Sequence, residues 1–169
     1  MVSSRNKIIS FVLITLVFVV GSGAFLKNQI QPLCFNNEFP SEARVAKVID
    51  GDTIVLAGGE KVRYLGINAP EIMVREGNQW IPKAQICGEE AKAYNQKLVE
   101  GKKVALEYDQ KKRDDYNRIL AYVWSDGVLI NGELLRKGLA LVDIRSPNRK
   151  NQKMFFDFQR EARDFHRGI

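Results

Sequence analysis

The fold of this 169-residue chain is decided by two stretches, Val48-Ile49-Asp50-Gly51-Asp52-Thr53-Ile54 and Val62-Arg63-Tyr64-Leu65-Gly66-Ile67-Asn68-Ala69-Pro70-Glu71. Each joins a strand-like apolar run to turn-forming residues, and each carries charged side chains near that junction. Side chains at strand ends are held by rigid elements and can still be reached by a ligand. The two stretches therefore predict β-structure with a functional site beside it.

Five strand-like runs are predicted, at residues 43–49, 53–56, 61–67, 103–108 and 119–124. The second and third are joined by Ala57-Gly58-Gly59-Glu60, which is a typical hairpin signal. Five short strands with few helices favour a small closed barrel, because closure removes exposed sheet edges. The predicted fold class is α+β, mainly β: a five-stranded barrel with three helices, preceded by an N-terminal apolar helix.

The three helices are predicted from apolar spacing and from end signals. Residues 89–99 place apolar side chains on one face and stop at Gly101, and Asn131 is expected to cap a short helix that ends at Gly138. The last helix, residues 149–166, carries a stripe that indicates packing against the barrel, formed by Phe155, Phe158, Ala162 and Phe165. Residues 72–86 show no period and are predicted to form a loop.

A third motif, Asp114-Asp115-Tyr116-Asn117-Arg118-Ile119-Leu120-Ala121-Tyr122, adds a second arginine before an apolar run. Two arginines, a glutamate and an aspartate-based cation site are what metal-assisted phosphodiester hydrolysis requires. Guanidinium groups grip phosphoryl oxygens, a hard cation polarises them, and a carboxylate positions or deprotonates water. The basic run at residues 111–113 is read either as solvated surface or as a nucleic-acid contact.

Other roles remain open for the same residues. Asp50 is interpreted as a turn residue, since Asp and Gly are preferred in tight turns. Arg63 shares strand parity with Leu65 and Ile67, so its charge needs an anion; a salt bridge to Asp52 or Glu71 and a phosphate clamp are compatible. Arg118 on its own would be read as a solvated surface arginine.

These motifs together resemble the staphylococcal nuclease, or thermonuclease-like, family. The resemblance runs from about residue 42 to residue 165, with Asp-Gly-Asp-Thr, Val-Arg-x-x-Gly-Ile-x-x-Pro-Glu and Asp-x-Tyr-x-Arg-x-Leu-Ala-Tyr in order. It implies an OB-type barrel and a calcium-dependent nuclease acting on DNA and RNA with little sequence preference. It also implies a monomer and products with 3′-phosphate ends.

Carried over to this sequence, the resemblance assigns the catalytic roles to Arg63, Glu71 and Arg118. The arginines would bind phosphate and Glu71 would assist the attacking water. Calcium would be held by Asp52, Asn68 and Ala69, the last through its backbone carbonyl. The family usually has an aspartate at the position of Asn68, and a neutral carbonyl removes one negative charge from the ligand set. A non-catalytic module that binds nucleic acid or protein is therefore the alternative.

The N-terminus predicts export. Arg5 and Lys7 precede residues 8–26, which contain no charge, and this order favours translocation of the chain. The segment could be a cleaved signal peptide or a membrane anchor, so the predicted organisation is residues 1–32 as signal peptide or anchor with linker and residues 33–169 as the nuclease-like domain. The mature domain is expected outside the cytoplasm, secreted or anchored.

Charge and cysteines set further bounds. Residues 33–169 keep 23 of the 26 basic residues and all 20 acidic ones, a net charge of +3, so nucleic acid would have to be bound at a local site. Cys34 and Cys87 are expected to form a disulfide in an exported chain, with two unrelated thiols as the alternative. His166 is the only histidine, which excludes a zinc site for lack of ligands and disfavours a histidine-based nuclease.

Overall fold

The computed structural model describes residues 39–82 and 84–169. Its strands are β1 (Glu42–Val48), β2 (Thr53–Leu56), β3 (Lys61–Tyr64), β4 (Ile67–Asn68), β5 (Met73–Glu76), β6 (Gln79–Pro82), β7 (Lys103–Glu107), β8 (Ile119–Ser125), β9 (Val128–Leu129) and β10 (Leu141–Val142). The helices in these ranges are α1 (Gly88–Val99), α2 (Ile130–Arg136) and α3 (Gln152–Asp164). Phe39–Ile169 form one compact unit.

Five of the strands close into a barrel. β1 pairs antiparallel with β2 and β7, β2 with β3, and β7 with β8. β3 and β8 then pair in parallel, with Arg63 opposite Leu120, and this pairing closes the ring. The inward side chains form one apolar core, in which Ile54, Val62 and Ile119 are fully buried. The predicted five-stranded OB-type barrel with three helices is confirmed.

The third predicted strand is shorter than its apolar run. β3 ends at Tyr64, and Gly66, with a φ of 74°, turns the chain into β4. Gly is needed there because φ is positive and because a Cβ would come within 2.8 Å of the Phe155 ring. The alternation expected to join Arg63 to Leu65 and Ile67 therefore stops at Tyr64.

The predicted loop over residues 72–86 is wrong, because it contains a hairpin. β5 and β6 pair antiparallel from Met73 opposite Pro82 to Glu76 opposite Gln79. Gly77, with a φ of 61°, and Asn78 form the two-residue turn, which suits the positive φ that such turns demand. Polar and apolar residues do not alternate here, so the sequence pattern did not reveal the strands.

Two details of the predicted helices also need correction. Asn131 does not cap α2; it is buried in the first turn, where its side chain accepts a bond from Val123 N and donates one to Leu65 O, both 2.9 Å. In α3, Phe155 and Ala162 are buried as predicted, but Phe165 follows the helix and is 66% exposed. The last turn therefore contributes less to the core than the spacing indicated.

Several predictions lie outside the described residues. The apolar segment 8–26, the boundary near residue 32 and Cys34 all belong to residues 1–38. Within 39–82 and 84–169, no helix is long and apolar enough to cross a membrane. Cys87 lies just before α1 and forms no disulfide with any described residue, and its pairing with Cys34 stays a prediction.

Candidate active site

The turn between β1 and β2 presents two aspartates. Asp52 N donates a hydrogen bond to Asp50 Oδ1 at 3.0 Å, and Ile49 N donates to Thr53 O at 2.9 Å. This is the side-chain-to-backbone turn that aspartate favours, so the predicted turn role of Asp50 agrees with the structure. Gly51 lies between them against α1, where a Cβ would be 2.8 Å from that of Ala91. We call residues 50–52 the acidic turn.

Asp52 ties three parts of the chain together. Its side chain is 1% exposed, and Oδ1 forms an ion pair with Nη1 of Arg63. Thr53 Oγ1 donates to the same oxygen at 3.1 Å, while the backbone N of Ala69 donates to Oδ2 at 2.6 Å. A buried carboxylate is stable only when paired and hydrogen-bonded, and both oxygens meet that condition.

Arg63 lies between the acidic turn and the end of β4. Besides its ion pair with Asp52, its Nη2 donates to Asn68 Oδ1 at 2.6 Å. Burial lowers the pKa of the guanidinium, as does the nearby charge of Arg118, but arginine remains protonated in proteins. The ion pair is the salt bridge to Asp52 that the sequence predicted, and the Arg63 side chain is still 14% exposed.

Arg118 forms an ion pair with Asp114 that is more exposed than the pair of Arg63 with Asp52. Its Nε donates to Asp114 Oδ2 at 2.7 Å and its backbone N donates to Asp114 Oδ1 at 2.9 Å. Burial alone would raise the pKa of Asp114, but hydrogen bonds and charge from Arg118 outweigh it and lower the pKa. The side chains are 28% and 17% exposed, and the guanidinium lies 5.5 Å from the centre of the Tyr116 ring.

Glu71 differs from both aspartates because its carboxylate makes no hydrogen bond or ion pair with any residue that the structure describes. Its backbone is fixed on both sides by Gln85, through bonds of 3.0 Å and 2.8 Å. Burial raises the pKa of Glu71, and the charge of Asp50 raises it further, while Arg63 and Arg118 oppose this. A carboxylate with a raised pKa and no protein partner is suited to act on water.

Two cavities meet at these side chains, since Glu71 and Arg118 line both. The larger, about 570 Å³, is also lined by Arg63, Asn68 and Tyr116. The smaller, about 400 Å³, is also lined by Asp50 and Thr53. The fold therefore brings together the three residues predicted to be catalytic, from positions as far apart in sequence as 63 and 118.

Asp50 was predicted to be only a turn residue, but it also belongs to this site. It lines the smaller cavity with Glu71 and Arg118. Burial raises its pKa, while Arg63 and hydrogen bonds from Thr53 oppose the rise. The available signal was the Asp-Gly-Asp spacing, because in a tight turn an aspartate side chain bonds to the backbone two residues on, here to the N of Asp52.

The predicted metal ligands can be compared with this geometry. Carboxylate, amide and backbone oxygens are ligands that calcium accepts, so the donor types fit. In the structure, however, Arg63 contacts the side-chain oxygens of Asp52 and Asn68, and the N of Ala69 bonds to Asp52. Among the residues described, no group of three or more Asp, Glu, His or Cys is arranged to hold a metal. The ligand assignment stays a prediction.

The basic run beside the site is divided between two roles. Lys111 forms an ion pair with Asp115 at 2.9 Å and lines the larger cavity. Lys112 and Arg113 instead lie over the ring of Phe39, 5.0 Å and 5.2 Å from its centre. Within this run, Lys111 alone lines the larger cavity.

Comparison with known proteins places this geometry in context. The family model described as staphylococcal nuclease homologue matches residues 61–169, which include Arg63, Glu71 and Arg118. The chain is 29% identical over 163 residues to a protein named thermonuclease from Staphylococcus hyicus, covering 95% of this chain and 90% of the relative. The thermonuclease of Staphylococcus intermedius is 31% identical over 158 residues, covering 91% and 87%. Endonuclease YncB of Bacillus subtilis (strain 168) is 40% identical over 122 residues, covering 69% and 56%.

Proposed function

The chain belongs to the staphylococcal nuclease family, and on this basis we propose that it is a metal-dependent nuclease that hydrolyses phosphodiester bonds of DNA and RNA. The observation that carries the proposal is the shared cavity, which is lined by two arginines and by a glutamate whose carboxylate has no partner among the described residues. The names of the relatives, thermonuclease and endonuclease, support the same reaction. Little sequence preference is expected, because the cavity's charges suit phosphate, which is common to all nucleotides.

The two arginines act on the phosphate. Each guanidinium presents several N–H donors in a planar fork that matches phosphoryl oxygens. Both are held by an aspartate, Asp52 for Arg63 and Asp114 for Arg118, so their orientation is set before substrate binds. Donors that are oriented in advance stabilise the charge that develops on the phosphoryl oxygens during attack.

Glu71 acts on the attacking water. Since its carboxylate has no partner among the described residues, it is available to accept a hydrogen bond from water and then a proton. A bound divalent cation, for which we propose calcium, would add Lewis-acid polarisation of the phosphate. Asp52, Asn68 and Ala69 would hold that ion.

Two further parts of the proposal concern location and assembly. We propose export on the basis of the uncharged segment 8–26 that follows Arg5 and Lys7. Cleavage would leave a secreted enzyme, and retention would leave it anchored to the membrane. The proposed active form is a monomer, because a single chain supplies Arg63, Glu71 and Arg118 to one cavity.

The test is digestion of plasmid DNA and of single-stranded DNA and RNA by the full chain, with calcium, magnesium or a chelator. We expect cleavage that depends on a divalent cation. Glu71→Gln should preserve the fold and substrate binding but lower turnover by roughly 10² to 10⁴, the range for a lost general base. Gln85→Ala, which removes the side-chain acceptor of Glu71 N but leaves the carboxylate in place, is the matched control and should lose less.

The outcomes separate the candidates. Nucleic-acid binding without turnover under any metal condition would support the non-catalytic module. Cleavage that is insensitive to the chelator would contradict metal dependence. Unchanged turnover in Glu71→Gln would remove Glu71 from the reaction.

A further inference from the structure

A buried hydrogen-bonded chain connects the barrel core to the acidic turn. Tyr64 Oη donates to Asn95 Oδ1 at 2.9 Å, and Asn95 Nδ2 donates to the backbone O of Asp50 at 3.2 Å. Tyr64 is 1% exposed and Asn95 is fully buried. Burial raises the pKa of the Tyr64 hydroxyl, which therefore keeps its proton and acts as the donor.

These two hydrogen bonds connect three elements that form the site. Tyr64 follows Arg63 in β3, Asn95 lies on α1, and Asp50 begins the acidic turn. From Asp50 the connection continues, because Asp50 Oδ1 accepts Asp52 N and Asp52 binds Arg63 and Ala69. α1 also packs directly on this turn at Gly51, where no side chain would fit beside Ala91. The orientation of the acidic turn is thus set from the side of the helix.

We propose that Asn95 is a positioning residue, which holds the acidic turn so that Asp52 meets Arg63 in the orientation needed for phosphate binding. Asn95 contacts no substrate, and it acts through the carbonyl of Asp50. The physical reason is that an asparagine amide satisfies a donor and an acceptor together, so one buried side chain connects Tyr64 to the turn. The part of this inference that concerns turnover rests on the proposed nuclease function.

The test compares Asn95→Ala and Tyr64→Phe with Ser125→Ala. Ser125 Oγ donates to Leu98 O at 3.2 Å, so its loss also removes a partly buried hydrogen bond to α1, away from the acidic turn. Amide hydrogen exchange, measured by NMR on the full chain, reports local opening, because the amides of Asp52 and Ala69 bond to Asp50 and Asp52. Urea unfolding of each variant gives the global stability.

We expect Asn95→Ala to accelerate amide exchange at Asp52 and Ala69 by about tenfold or more relative to Ser125→Ala. The two variants are compared after the exchange rates are corrected for their difference in global stability. Its kcat should fall by about 10²-fold with a smaller change in KM, the loss that a displacement of about 1 Å can cause. Tyr64→Phe should change both quantities in the same direction but less, because the bond from Asn95 to Asp50 remains. Ser125→Ala should leave the ratio of local to global exchange as in the wild type.

A different pattern would overturn the inference. Acceleration of all amides together in Asn95→Ala would mean that Asn95 stabilises the fold without positioning the turn. Unchanged amide exchange at Asp52 and Ala69 would show that Asn95 does not position the acidic turn. If Asn95→Ala does not fold, Tyr64→Phe decides the question by the same two measurements. Because exchange needs no substrate, a wild-type chain without nuclease activity would reject the proposed function while leaving this test intact.

Discussion

The two arginine–aspartate pairs of the site differ in depth. Arg63 and Asp52 are 14% and 1% exposed, whereas Arg118 and Asp114 are 28% and 17% exposed. Asp52 also bonds to the backbone N of Ala69, on a different segment, and to the adjacent Thr53, while Asp114 bonds mainly within its own loop, to Arg118 and Tyr116. Both pairs orient a guanidinium toward one cavity, but only the deep pair is also part of the barrel's structure.

Because the pairs differ in depth, breaking them should affect the stability of the fold differently from the activity. Removing one partner of a buried pair leaves an uncompensated charge, which is strongly destabilising, whereas a pair nearer the surface contributes little to stability. The orientation that each arginine gains from its aspartate concerns the reaction in both cases. We therefore expect similar losses of activity but different losses of stability when the two pairs are broken.

The largest effect is expected from Arg63→Ala. Turnover should fall on the order of 10³ or more, as for arginines that stabilise a transferring phosphoryl group. The free energy of unfolding should also fall by about 3–5 kcal/mol, because Asp52 remains buried without its partner. Denaturant unfolding and nuclease rates measure the two quantities separately.

Arg118→Ala is the matched variant for that experiment. It should lose turnover to a similar extent, but at most about 1 kcal/mol of stability. Lysine at either position should restore activity only in part, because an ammonium group cannot form the bidentate fork. Equal destabilisation by the two alanine variants would show that depth does not distinguish the pairs.

Asp114→Asn tests orientation at the shallow pair without removing the arginine. The amide keeps an acceptor for Arg118 but loses the charge, so the guanidinium should be less firmly held. Turnover should fall on the order of tenfold, which corresponds to about 1.4 kcal/mol in the barrier. Asp126→Asn, which alters a remote exposed ion pair with Lys102, is the control and should leave turnover unchanged.

Asn68→Asp tests the deep pair from its other side. The new carboxylate would add a negative charge beside Arg63 and, if position 68 ligates the ion, should tighten calcium binding. Activity at limiting calcium should then rise, while activity at saturating calcium can change in either direction. Calcium titrations of the wild type and of Asn68→Asp, followed by calorimetry and by nuclease rate, test this expectation. Identical calcium affinities would remove position 68 from the ligand set.

The smallest effect is expected from Asp50→Asn, as a shift in pH dependence. The charge of Asp50 is one cause of the raised pKa of Glu71, after burial. Glu71 must be ionised to act as a base, so removing that charge should move the acid limb of the pH–rate profile to lower pH. Asp115→Asn is a control at an exposed acid of the larger cavity, and an equal shift there would contradict a specific Asp50 effect.

The local sequence pattern predicted most of the barrel strands correctly. The extent of β2 and nearly the whole of α1 followed from apolar spacing and glycine positions. The β5–β6 hairpin was predicted wrongly because its strands lack alternation. The role of Asn131 was predicted wrongly because it has the sequence context of a helix cap, although its side chain bonds to Val123 and Leu65. Distant partners decide both features, and a local pattern does not contain them.

By itself, the sequence determined the five barrel strands, most of the turns that separate them and the residue types suited to binding phosphate and activating water. Only the tertiary structure decided which of these residues meet. The parallel pairing of β3 with β8 places Arg63 opposite Leu120 and so brings Arg118 to the same cavity. The antiparallel β2–β3 hairpin pairs Thr53 with Arg63 and so places Asp52 against Arg63, while Asp50 lines the smaller cavity together with Glu71. The meeting of Arg63 and Arg118 depends on barrel closure, because proximity between distant segments follows from which strands become neighbours rather than from the residues on either side of each charge.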